Sequence, residues 1–82
     1  MILLVTHPDQ LTLAQKRTLR DAIAQEKEIG WYFPRASRIN VARTLASAGF
    51  EFLVRSGKGD GGYNVTEAGY AMAVRLVPEG PR

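Results

Sequence analysis

Ala46-Ser47-Ala48-Gly49-Phe50-Glu51-Phe52-Leu53-Val54-Arg55 is followed by Ser56-Gly57-Lys58-Gly59-Asp60-Gly61-Gly62 and then by Tyr63-Asn64-Val65-Thr66-Glu67-Ala68-Gly69-Tyr70-Ala71. Aromatic and β-branched side chains dominate Phe50 to Arg55, which predicts a strand, and Tyr63-Asn64-Val65 predicts a second short one. The glycine-dense run between them predicts a flexible reversal, so the two strands form a hairpin. Thr66 is a good N-cap for a helix from Glu67 to about Leu76, to which Ala68, Ala71, Met72 and Val74 give apolar surface. The tail from Val77 to Arg82 is expected to fray.

Upstream of this stretch, the spacing predicts a helix over 37–48, with Ser37 as N-cap and Gly49 as its left-handed C-terminal stop. At 100° per residue, Val41, Ala42, Leu45 and Ala48 share one side, and Asn40, Arg43, Thr44 and Ser47 the other. Trp31-Tyr32-Phe33 predicts a short strand that Pro34 ends. Before it, Thr12 and Gln15 have capping-box spacing, which starts a helix at Leu13. Leu19, Ala22, Ile23 and Glu26 line one side of that helix, and Gly30 stops it. Residues 1–10 read as an accessory strand, Ile2 to Val5, and a turn at His7-Pro8-Asp9. There are no internal repeats and no linker, so the 82 residues make a single domain.

Its composition, 45% hydrophobic and 23% charged, is that of a globular chain. With no cysteine there is neither a disulfide nor a thiolate metal site to support a thin core. No signal peptide is recognisable, and no run approaches the ~18 apolar residues of a membrane span, which leads to the expectation of a cytoplasmic protein. The net charge of +3 is unevenly placed. Basic and acidic side chains balance over 1–34. Over 35–58, Arg35, Arg38, Arg43, Arg55 and Lys58 face Glu51 alone, and acids slightly outnumber bases over 59–82. A middle segment of one sign points to an anionic partner.

Helix, short strand, helix, strand, glycine-rich hairpin, strand, helix is the order of a winged helix-turn-helix-like α+β domain. About three helices, a short hairpin wing and a small antiparallel sheet are expected. Residues 36–73 also resemble the corresponding stretch of MarR-type and related winged-helix regulators. In those proteins a recognition helix ends in a glycine-hydrophobic step, a wing follows, and a Tyr-x-[Leu/Val]-Thr-x-x-Gly phrase opens the last helix. Here the phrase is Tyr63-Asn64-Val65-Thr66-Glu67-Ala68-Gly69. One departure is that Gly30 and Ala36 enclose only Trp31-Tyr32-Phe33-Pro34-Arg35, so the usual first helix of the pair is missing or shrunken.

The resemblance implies double-stranded DNA as partner, with helix 37–48 in the major groove and the 57–62 loop as a wing on the backbone. Arg43 then suits a guanine edge and Asn40 an adenine edge, while Ser37, Thr44 and Ser47 suit phosphates or short polar contacts. Arg35, Arg38, Arg55 and Lys58 supply phosphate attraction. The reading is that of a small transcriptional regulator of a phage or mobile element, and it admits a homodimer that reads two half-sites. A merely solvated helix face is the plain alternative for each residue taken singly.

Nothing indicates an enzyme or a cofactor. His7 is the only histidine and sits in a turn, the carboxylates are scattered, and the Gly57–Gly62 run lacks phosphate-loop spacing. The alternative function is a phage-encoded inhibitor that binds a protein, such as a host nuclease or a CRISPR complex. The aromatic triplet and the shortened helix pair motivate it. Exposed Arg43 and Asn40 would favour DNA, and an exposed Trp31 or Phe33 would favour a protein partner.

Overall fold

Thr12 opens the longest helix through the two reciprocal bonds its spacing predicts. In the computed structural model, which describes residues 5, 7–57 and 62–76, the Gln15 N–H donates to the Thr12 hydroxyl at 3.1 Å. The Thr12 N–H donates to the Gln15 side chain at 2.8 Å. Helix α1, Leu13–Ile29, buries Thr18, Leu19 and Ala22 and ends at Gly30, whose φ of 92° is the left-handed value that favours glycine. Ahead of it, His7 caps a single 3-10 turn, Pro8–Gln10, by accepting from the Asp9 N–H through Nδ1.

Strand β1, Leu53–Arg55, pairs antiparallel with β2, Tyr63–Val65, in the register Leu53↔Val65, Val54↔Asn64 and Arg55↔Tyr63. The other edge of β2 is taken by Tyr32. Its N–H donates to the Tyr63 carbonyl at 2.7 Å, and the Tyr63 N–H donates back at 2.9 Å. The triplet predicted as a strand is therefore one bridging residue between two that do not pair, with Pro34 preventing its extension. The strand predicted over Phe50–Arg55 is also shorter, because Glu51 sits at φ 57° and turns the chain before Leu53.

The helix predicted over 37–48 is corrected at both ends. A 3-10 turn, Ala36–Arg38, precedes helix α2, Ile39–Leu45, and Ser37 caps neither. At the far end the Phe52 N–H takes the Leu45 carbonyl, and the Ser47 hydroxyl donates to the Thr44 carbonyl at 2.6 Å. Both use acceptors that a continuing helix would need. Gly49 does adopt the left-handed conformation, φ 97°, but beyond the helix end, inside a turn. Ala42 and Leu45 are completely buried, whereas Ala48, expected on their side, is exposed.

Helix α3, Glu67–Arg75, starts as predicted at Thr66, whose hydroxyl accepts from the Gly69 N–H at 3.0 Å and donates to the Glu51 carbonyl at 2.6 Å. It buries Gly69 and Met72, while Ala68 and Ala71 are exposed and Val74 is the most exposed large apolar side chain described. Glu26 ties the pieces together. Its carboxylate accepts from the Asn64 side chain and the Val65 N–H, both at 2.9 Å, and from the Tyr70 hydroxyl. Leu19, Leu45 and Leu53 fill the centre, each contributing about 1.5–3 kcal/mol through burial. Across the described residues the result is a small α+β arrangement of three α-helices and an antiparallel strand pair, consistent with the expected winged-helix-like order.

Candidate nucleic-acid interface

Burying Ala42 and Leu45 forces the opposite side of α2 outward. Asn40 and Arg43, three residues apart and so on one face, are both exposed, as are Arg35 and Ser37 on the approach to the helix. Arg38 and Thr44 are half-buried, and Ser47 is exposed just past the helix end. No carboxylate occurs from Arg35 to Phe50, and Arg35, Arg38 and Arg43 form no ion pair with another described residue. The charged side chains this segment contributes are therefore all cationic, with one amide among them, while Asp21 of α1 acts on the same Tyr32 phenol as Arg35 and Arg38.

The three hydroxyls differ. Thr44 donates to the Asn40 carbonyl at 3.0 Å, and Ser47 to the Thr44 carbonyl. Both protons are committed to the backbone, which leaves lone pairs rather than donors for an incoming group. Ser37, with no cap to form, is the one whose side chain has no such bond.

Arg55 reaches the site from the sheet. Its guanidinium lies 5.5 Å from the centroid of the Tyr63 ring, its partner in the strand register. Cation and ring at this distance attract while the charge stays at the surface. Tyr63 is bridged to Tyr32, and the phenol of Tyr32 carries the electrostatic mark of its surroundings. Burial pushes it above its ordinary value of 10.0, Asp21 adds to the rise, and Arg38 and Arg35 oppose it. Arg55 thus lies over the buried Tyr63, which is bridged to the buried Tyr32. Lys58 lies outside the described residues, as do most of the 57–62 loop, residues 1–4 of the accessory strand and the tail from Val77.

Two open hollows flank α3. One, of about 360 Å³, is lined by Ala46, Glu51, Leu53, Val54, Thr66, Glu67 and Ala68. The other, of about 200 Å³, is lined by Val5, Phe52, Ala68, Ala71, Met72 and Arg75. Both are mainly apolar, and their two carboxylates, Glu51 and Glu67, are exposed. Among the described residues, no group of three histidine or acidic side chains is placed to hold a metal ion. No helix of the described residues is long and apolar enough to cross a membrane.

The role of Glu26 was only half visible beforehand. Its place on the buried side of α1 followed from the helical period, but its three partners come from β2 and α3, far along the chain. Phe33 is exposed and its neighbour Trp31 half-buried, so the aromatic triplet contributes only Tyr32 fully to the core. Both the cationic helix face and an aromatic surface are therefore present. No family model, curated protein or solved structure matches the chain.

Proposed function

We propose that this protein is a DNA-binding module of winged-helix type, acting as a small transcriptional regulator. In this reading α2 enters the major groove, with Arg43 on a guanine edge and Asn40 on an adenine edge. Arg35, Arg38 and Arg55 attract phosphates, and Lys58 and the 57–62 loop touch the backbone as a wing. The observation that carries it is the exposed face of α2 and its approach, where arginines and an asparagine point outward with no carboxylate from Arg35 to Phe50. Only a 3-10 turn precedes the short α2, where a helix-turn-helix pair has a full first helix.

Binding of the protein to mixed-sequence duplex DNA across a salt series tests this. Affinity should fall steeply with salt, by a log–log slope of about −0.9 for each phosphate neutralised. Arg43→Ala should weaken binding about tenfold, and Lys58→Ala should flatten the salt slope by about one unit. Absence of duplex binding at low salt would refute the reading. The exposure of Phe33 supports a second one, an inhibitor that docks on a host nuclease or CRISPR complex. Retention of such a protein partner by wild-type protein, lost in Phe33→Ala but kept in Arg43→Ala, would favour it over DNA.

A further inference from the structure

We propose that Trp31 and Phe33 form a stacking site for an unpaired nucleobase, with Arg35 placed to take the adjoining phosphate; this rests on the nucleic-acid reading above. Trp31 lies in a bend after Gly30, and Tyr32 is turned inward and bridged to Tyr63. On either side of it Phe33 is exposed, and Trp31 is half-buried with its indole nitrogen covered and without a hydrogen-bond partner among the described residues. Phe33 is 40% exposed although it is a large apolar ring. It meets Trp31 edge-to-face, with centroids 6.1 Å apart and planes 74° apart. An edge contact of this kind covers less of the two ring faces than a stacked pair would.

The platform is held before any ligand arrives. The Phe33 N–H donates to the Gln25 side chain at 2.6 Å, and Pro34 restricts the backbone immediately after it. Ordering costs on binding are correspondingly small. What lies next to the rings selects the occupant. Arg35 is exposed, and two residues of chain place its Cα within about 7 Å of that of Phe33, the reach of a neighbouring phosphate. Along the chain from Gly30 to Phe50 the only charged side chains are Arg35, Arg38 and Arg43, while α1 brings Glu26 beside Gly30 and Asp21 within reach of Tyr32.

A ligand that combines a flat π-face with a negative charge one link away is a nucleotide in a strand. Inside a duplex the base faces are already covered by their neighbours, so the base must come from an overhang, a gap or a single strand. A protein anchored here would instead need an apolar interface core depleted of charge, and Arg35 is exposed two residues from Phe33.

Trp31 is the only tryptophan, so emission excited selectively in tryptophan, away from tyrosine absorption, reports on this site alone. The full chain is titrated with a blunt DNA hairpin, with the same hairpin carrying a short thymidine overhang, and with oligothymidine. The overhang and the oligothymidine should quench Trp31 emission, and the overhang should bind about tenfold more tightly than the blunt hairpin. Phe33→Leu should bring overhang affinity down to that of the blunt hairpin, and Phe33→Tyr should restore the gain.

Equal binding of both hairpins without quenching would overturn the stacking site while leaving the duplex reading intact. Quenching by oligothymidine without binding of the blunt hairpin would sink the duplex reading and uphold the stacking site. Wild-type gain in the Phe33→Leu variant, or equal quenching by polyglutamate, would also overturn the proposal, and the latter would point to an acidic protein.

Discussion

The approach to α2 together with α2 itself, Arg35 to Leu45, and the stretch from β2 into α3, Tyr63 to Arg75, are built on opposite plans. The second is bound to the rest of the molecule at almost every turn. Asn64, Val65 and Tyr70 meet Glu26, Thr66 meets Glu51, and Gly69 lies under the Phe52 carbonyl. The first bonds its Thr44 hydroxyl to its own Asn40 carbonyl and is held to the core chiefly by Ala42 and Leu45, with Val41 half-buried. A domain this small has little core to spare, so cross-links are concentrated in one region, and a polar face in the other can be shaped for a partner.

Gly69→Ala should break this comparison most severely. A Cβ there would stand 2.3 Å from the Phe52 oxygen and 2.7 Å from a Val65 methyl, atoms of the backbone and core that cannot step aside. A loss of about 3 kcal/mol is expected in chemical denaturation. Glu26→Ala comes next, because it leaves the Val65 N–H without its acceptor and the Asn64 amide with the Gly30 carbonyl alone. About 2 kcal/mol should be lost, with Glu26→Gln recovering part of it.

A smaller effect is expected at high pH. Tyr32 holds its proton more tightly when folded than at the ordinary value of 10.0, so the folded state binds more protons once the unfolded phenol begins to ionise. Stability is fully present below about pH 10 and should decline as pH rises through the folded value. Denaturation curves of wild type and Tyr32→Phe should diverge in slope only in that range. Least of all, Asn40→Ala should shift stability by no more than about 0.5 kcal/mol, while lowering DNA affinity. A large stability loss there would mean that α2 is also cross-linked, and the contrast would fail.

The sequence by itself determined whatever depends on near neighbours. Thr12 with Gln15, Thr66 with Gly69, and the glycine stop at Gly30 are local geometry, and each stands where its spacing put it. The outward face of α2 was equally legible, since Asn40 and Arg43 follow from the helical period once Ala42 and Leu45 face the core.

Tertiary structure alone decided where elements stop and what they touch. Helix α2 ends at Leu45 because Phe52 claims its carbonyl, and β1 begins late because Glu51 turns. The aromatic triplet divides into a core Tyr32, a half-buried Trp31 and an exposed Phe33 because Tyr63 bonds only Tyr32. These outcomes depend on which backbone groups meet across the fold. Propensity, which weighs each residue against its neighbours in sequence, holds no information about that pairing.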